Sequence, residues 1–187
     1  MKKTILVFSL IFVFAISSLA MAGLLDKAKN AAKTMASAEK HELKLSDIDK
    51  DLASYEGGEF DVVKDNKDKY VYKTYKDATW DAIAASAAKS CLCTDFAEKV
   101  VNSPNAKNSD FEAALKVFEP MSAEVAKLTS SVTSFIGQVK SDPTKAMMLK
   151  DAMTVKDQIA TMTSKAPDII KGLKDKIAAE KAKAEEK

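Results

Sequence analysis

Arginine is absent from this 187-residue chain: its 29 basic side chains are all lysines, set against 27 acidic ones, and His41 is the only histidine. The planar guanidinium fork is what grips phosphates and base edges, and a chain this close to neutrality lacks the basic excess that draws polyanions. Both absences speak against a nucleic-acid partner. Aromatics are few, 7% of residues, beside abundant Ala, Lys, Asp and Glu, a composition that points to helices. No GxSxG elbow, HExxH pair or glycine-rich phosphate loop occurs, and no carboxylate pair stands out by its spacing. Nothing therefore marks a catalytic residue, a cofactor or a metal ligand set, and the chain is not expected to be an enzyme.

Long hydrophobic runs are also missing, with one exception. Residues 5–16 are apolar, follow Lys2 and Lys3, and precede Ala20-Met21-Ala22, the small-x-small pattern of a secretory leader. Residues 1–22 are expected to be a signal peptide cleaved before Gly23 rather than an uncleaved anchor, which places the protein in the periplasm or outside the cell. Losing Lys2 and Lys3 takes the formal charge from +2 to 0. The remaining chain suits a single bundle domain over 23–178, followed by a charged tail over 179–187 that keeps helix propensity but no apolar face.

Along the chain, Leu24, Leu25, Ala28, Ala32 and Met35 recur at helical spacing between lysines, predicting an amphipathic helix over 24–41. In "KLSDIDKDLASYEGG", Ser46 with Asp49 three residues on reads as a capping box. Ile48, Leu52 and Tyr55 share a face, so a second, short helix is expected up to Gly57. "EFDVVKDNKDKYVYKTY" is the one stretch that reads as extended. It predicts a small β-hairpin over 59–75, laid on the helices because an isolated hairpin is marginal in water.

The only two cysteines, Cys91 and Cys93, fall where the helical pattern slips. Trp80, Ile83, Ala84, Ala87 and Cys91 define one face from Asp77 onward, whereas Phe96, Ala97 and Val100 fall on roughly the opposite side. The slip predicts one helix to about Lys89, a break at 90–93, and a new helix from Thr94, its N-cap, to about Asn102. In a helix, residues two apart point their Cβ atoms to different sides, but an irregular turn permits a Cys91–Cys93 disulfide or redox pair. A three-residue loop makes such a bond a weak staple, about 1.6 kcal/mol before strain. Soft-metal binding is a further reading, since "KAMMLKDAM" places Met147, Met148 and Met153 close together, and thiolates and thioethers suit Cu(I). Packing of small and flexible residues in a core accounts for the same positions. Asp47, Asp49 and Asp51 alternate as in a calcium loop, but Leu52 stands at the glycine position and Gly58 at the closing glutamate, so the capped helix is the better reading. His41, set among charges, is expected at the surface near a helix end.

Two long helices follow. Ser109 with Glu112 marks the start of the first, and Pro120 is expected to kink or interrupt it. Met121, Val125, Leu128, Val132, Phe135 and Val139 then repeat at four-three spacing. Asp142 and Pro143 cap the second, whose stripe runs through Met148, Ala152, Val155, Ile159, Met162, Ala166, Ile169, Leu173 and Ile177, with a kink expected at Pro167. The fold class is mainly α: an antiparallel helical bundle with kinked long C-terminal helices and the small hairpin. The expected function is that of an exported, non-catalytic binding or interaction protein, chaperone-like, scaffolding or envelope-associated. Its partner would be another protein or a second copy meeting the heptad-like stripes. A membrane surface is the alternative partner, met by the leucine-led, lysine-flanked segment from Leu24, and thiol or soft-metal chemistry at Cys91 and Cys93 is a further alternative.

Overall fold

The computed structural model describes residues 38–56 and 69–186. The leader, the helix expected from Leu24 as far as residue 37 and the first arm of the expected hairpin lie outside the described residues. The elements are β1 (Glu39–Lys44), a single helical turn α1 (Leu45–Ile48), a 3₁₀ segment (Lys50–Tyr55), β2 (Lys69–Thr74), and three long helices. These are α2 (Ala78–Asn102), α3 (Asn108–Ser141) and α4 (Leu149–Glu185), the last two joined by a 3₁₀ turn over Pro143–Met148. Short connections make the bundle up-down-up: α3 runs against its neighbours, and α2 and α4 run in the same direction, with Lys165 beside Glu98 and Gly172 beside Val101 further along. The mainly-α class is as the composition implied.

Residues 39–41 end the expected first helix on paper but form part of a strand. In "EKHELK", His41 and Leu43 are half-buried while Glu42 and Lys44 are exposed, a period of two that an alanine-led helical stripe cannot extend into. β1 pairs antiparallel with β2, His41 opposite Tyr72 and Leu43 opposite Tyr70. The extended character of residues 69–74 is thus real, but the strand partner described is β1 rather than a hairpin arm at 59–63. His41 is not at a helix end: its ring stacks on Tyr72 with centroids 5.2 Å apart, and its Nε2 lies 2.8 Å from the Thr74 hydroxyl.

The helix starts shift by a residue or two from the expected caps. At α1 the Asp47 carboxylate accepts from the Lys44 N–H, so Lys44, not Ser46, is the capping position. At α3 the Asp110 carboxylate does the same for Lys107, which puts Ser109 inside the helix. Asp142 is a cap, as the sequence implied, but of the 3₁₀ turn that leads into α4: its carboxylate accepts from the Thr144 N–H. At α2 the Asp77 carboxylate accepts from the N–H groups of Thr79 and Trp80. Pro120 and Pro167 end neither helix. Both are at exposed positions, where the carbonyl a proline leaves unbonded can turn to water. The tail stays helical to Glu185 and is exposed over residues 181–186.

Both stripes pack within the chain, buried except for the half-buried Val155, Ala166 and Ile177, and form a core of two layers along the bundle. In one layer Trp80, Ile83, Ala84 and Cys91 of α2 meet Val125 to Val139 of α3 and Met148 to Met162 of the α4 end. In the other, Leu92, Cys93, Phe96, Ala97 and Val100 meet Phe111 to Met121 of α3 and Ile169 and Leu173 of α4, together with Leu45 and Leu52 from the segment before β2.

That second layer explains the slip at 90–93, and corrects the expected break. α2 is unbroken from Ala78 to Asn102. Its apolar face moves around the axis because its C-terminal half acquires a further neighbour: the Tyr55 ring, 4.9 Å from that of Phe96. A helix covered on several sides has no single face to keep in phase. Ser90 and Thr94, read as turn and cap, donate their hydroxyls to the carbonyls of Ser86 and Ser90 one turn back, which is how buried hydroxyls are satisfied mid-helix.

Two expectations follow. Lys89→Pro should cost about 3 kcal/mol or more in urea unfolding, while Lys89→Ala stays within about 0.5, because the helix is continuous there; equal stability of the two would restore the break. Asp77→Ala should cost about 1–2 kcal/mol through loss of the cap. Burial pushes the Asp77 carboxyl up, but Lys145 and the backbone N–H groups outweigh it and hold it below the ordinary carboxylate value. Its contribution should therefore be complete above the ordinary value of 3.8 and vanish as pH falls through the lowered one, a loss the Ala variant would not show.

Candidate functional site: a cleft between α2 and α4

Polar residues flank the core stripes on the facing sides of α2 and α4, and there the two helices enclose a cleft of about 380 Å³ instead of a sealed seam. α2 contributes one side chain or two per turn, Cys91, Thr94, Asp95 and Glu98. α4 answers with Thr154, Asp157, Gln158, Thr161, Met162 and Lys165, and β2 adds Tyr70. Cys91, Thr94 and Met162 are buried and form the floor; Tyr70, Gln158 and Glu98 are half-buried walls; the others sit at the exposed rim. A Glu98–Lys165 ion pair at 2.9 Å joins α2 to α4 at the rim.

Tyr70 organises the wall. It lines the cleft with Cys91 and Gln158, and burial raises its hydroxyl well above an ordinary phenol. A smaller cleft of about 120 Å³ continues past Tyr70, Thr154 and Gln158 toward Trp80 and the alanines of α2. β2 is held in place there by polar bonds: the Trp80 indole donates to the Lys73 carbonyl at 2.9 Å, and the Tyr75 hydroxyl donates to Asp151.

The cysteines are placed differently from one another. Cys91 lines the cleft, whereas Cys93 is fully buried in the other core layer. Both are free thiols in an unbroken helix, so their Cβ atoms diverge and a bond between them would require unwinding α2. Burial pushes Cys91 up to about 11 and Cys93 to about 12. The methionines of "KAMMLKDAM" do not form one cluster with them: Met148 is in the core, Met147 is half-buried and Met153 is 41% exposed. It is Met162 that shares the cleft with Cys91. Asp49 and Asp51 serve a structural end, since Lys116 of α3 pairs with both, at 3.0 and 3.5 Å, and its hydrogen bond lowers the Asp49 carboxyl.

Sequence reasoning missed the charged rim. Its signal was present, Asp95 and Glu98 three apart on α2 and Asp157, Thr161 and Lys165 four apart on α4, but only the placement of α2 beside α4 makes one site of two ordinary polar edges. Among the described residues no helix is long and apolar enough to cross a membrane, and no group of three or more metal-ligating side chains comes together. No protein-family model, curated protein or solved structure matches the chain.

Raised thiol and phenol values fix the sign of a pH effect. Groups that resist ionisation when folded stabilise the native state fully below their unfolded values and lose that stabilisation as pH rises through the folded ones. Urea stability should hold from neutrality to about pH 9, the ordinary thiol value, and fall as pH climbs through about 11 to 12. Cys93→Ala should remove part of the alkaline fall. In the same protein at neutral pH, alkylation should be slow until urea is added and then modify both thiols; rapid labelling of the native state would contradict this burial.

Proposed function

We propose that the chain is an exported, non-catalytic helical binding protein, acting in the periplasm or outside the cell, with the α2–α4 cleft as its binding surface. The observation that carries this reading is the cleft itself: ligand-sized, with a buried floor of Cys91 and Met162, hydrogen-bonding walls and a charged rim, the usual construction of a small-molecule site. Its chemistry suits holding more than transforming. The Cys91 thiol and Tyr70 hydroxyl are both pushed toward their protonated forms, so neither is a ready nucleophile at neutral pH. The one imidazole, His41, is engaged with Tyr72 and Thr74 on the sheet. Export is supported by the leader-like residues 1–22. The stripes that suggested a helical partner or self-association are used inside the chain, so a protein partner would meet charged helix faces or the cleft instead.

Filling the cleft tests the reading. Thr161 is exposed at the rim, so Thr161→Trp should fold normally. In a thermal-shift screen of small metabolites, compounds that raise the midpoint of the wild-type protein should leave the Trp variant unchanged. Equal shifts in both proteins would move binding elsewhere, and no shift with any compound would remove the small-molecule role. N-terminal sequencing of protein extracted from the cell envelope should begin at Gly23.

A further inference from the structure

We infer that the α2–α4 cleft and the smaller cleft beyond Tyr70 form one site of two compartments, which takes a short neutral amphiphile: an alkyl chain in the inner compartment and a hydroxyl or amide head in the outer. The inference rests on reading the cleft as a binding surface and adds the class of ligand. The first step is continuity. Tyr70, Thr154 and Gln158 line both clefts, so the outer space of about 380 Å³ and the inner one of about 120 Å³ meet at the same three side chains. The inner space is lined by Trp80, Ala84, Ala87 and Ala88, all buried, where α2 presents alanines in place of larger core side chains. Apolar cavities only slightly larger, about 150 Å³, stay dry and take up a molecule the size of benzene.

The second step is which polar groups still have bonds to give. In the inner compartment they are spent: the Trp80 indole N–H donates to the Lys73 carbonyl at 2.9 Å, and Asp151 accepts from the Tyr75 hydroxyl and pairs with Lys73 at 3.4 Å. A polar group placed against Trp80 and the alanines would lose water and gain no partner, so this compartment selects an apolar chain. In the outer compartment Thr94, Thr154 and Thr161 donate their hydroxyls to the carbonyls of Ser90, Lys150 and Asp157, one turn back. What those three oxygens retain is acceptor capacity, which a donating head satisfies. Glu98 and Lys165 face each other at the rim, at 3.0 and 2.9 Å, and that pair calls for no counter-charge on the ligand.

Linear alcohols from propanol to octanol, titrated into the whole protein with Trp80, the only tryptophan, as fluorescent reporter, test the fit of the chain. Affinity should rise about fourfold per added CH₂ and level off between hexanol and octanol, when the inner compartment is full, with Trp80 emission shifting as the longer chains enter it. 1-Methoxyhexane, which carries the same hexyl chain and no donor, should bind about fivefold more weakly than hexanol. Ala84→Leu, filling the inner compartment, should erase the gain from propanol to hexanol. Because a larger side chain at a buried position can itself cost stability, Thr154→Phe, exposed at the junction, is the second variant and should do the same with the thermal midpoint kept. No binding of hexanol, an affinity that ignores chain length or climbs unbroken to octanol, or a Trp80 emission that stays unmoved would each overturn the inference. So would an ether equal to the alcohol, or a gain from propanol to hexanol that survives both substitutions. The Thr161→Trp variant distinguishes the two levels of failure. If alcohols bind without moving Trp80 and Thr161→Trp abolishes that binding, the outer cleft is still the binding surface and only the second compartment is wrong; if binding persists in it, the cleft itself is the wrong place.

Discussion

Between Ala87 and Ala97 α2 exposes a single side chain, Asp95, and this near-complete burial of one helix sets what the remainder of the chain has to do. Two long partners can cover a helix only on the sides they touch. α3 and α4 do that for Trp80, Ile83 and Ala84, which is why the N-terminal half of α2 keeps an ordinary amphipathic phase. The C-terminal half carries Phe96 on another side, and that ring would stand in water without the segment from Leu45 to Tyr55. The burial of Leu52 and Leu45 there removes apolar area from water, at about 25 cal/mol per Å², and so fixes that segment on the bundle. Polar contacts set its register: the Tyr55 hydroxyl donates to Asp110 at 2.8 Å, and Lys116 holds Asp49.

The same constraint opens the cleft. α2 is built largely from Ala, Ser, Thr and Cys along this stretch, and such small side chains let neighbours come close without filling a wide gap. Toward its C-terminal end α4 approaches closely, where Gly172 meets Val101: a Cβ on that glycine would be 3.4 Å from the valine. Nearer the sheet the facing residues are Thr94 and Asp95 against Thr154, Asp157 and Thr161, and polar groups that gain nothing by leaving water keep the seam open. Tyr70 and Gln158, which line both clefts, divide the open seam in two. The cleft is thus a consequence of where apolar residues stop, and its position follows from α2 being shared among several neighbours.

This also explains how far the sequence could be read. The stripes on α3 and α4 have one job, facing one core, and their period was visible residue by residue: Met121, Val125, Leu128, Val132, Phe135 and Val139 are all buried. α2 serves several neighbours, so its pattern changes phase without any change in backbone, and a rule that equates phase with continuity reads a break there. β1 was hidden for a related reason. Its alternation spans only four residues, His41 to Lys44, and abuts an alanine-led helical pattern that a longer window extends over it. Pairing of β1 with β2 joins segments some thirty residues apart, His41 to Tyr72, which no local signal specifies. The cleft was illegible for the same cause: each of its edges is an ordinary polar helix edge until tertiary packing brings them together.

The paired cysteines show how the helix changes the meaning of a motif. In an oxidising compartment two thiols one residue apart would be expected to bond or to react. An intact helix prevents the first by direction, since Cys91 and Cys93 belong to different core layers. Burial opposes the second, because the thiolate is the reactive form and both thiols are pushed far toward the neutral one. Each then does what a small apolar residue does in a crowded seam, Cys91 at the floor of the cleft and Cys93 in the closed core. Continuity of α2 therefore governs three properties together: the closed core on one side, the open cleft on the other, and the chemical quiet of the sulfur between them.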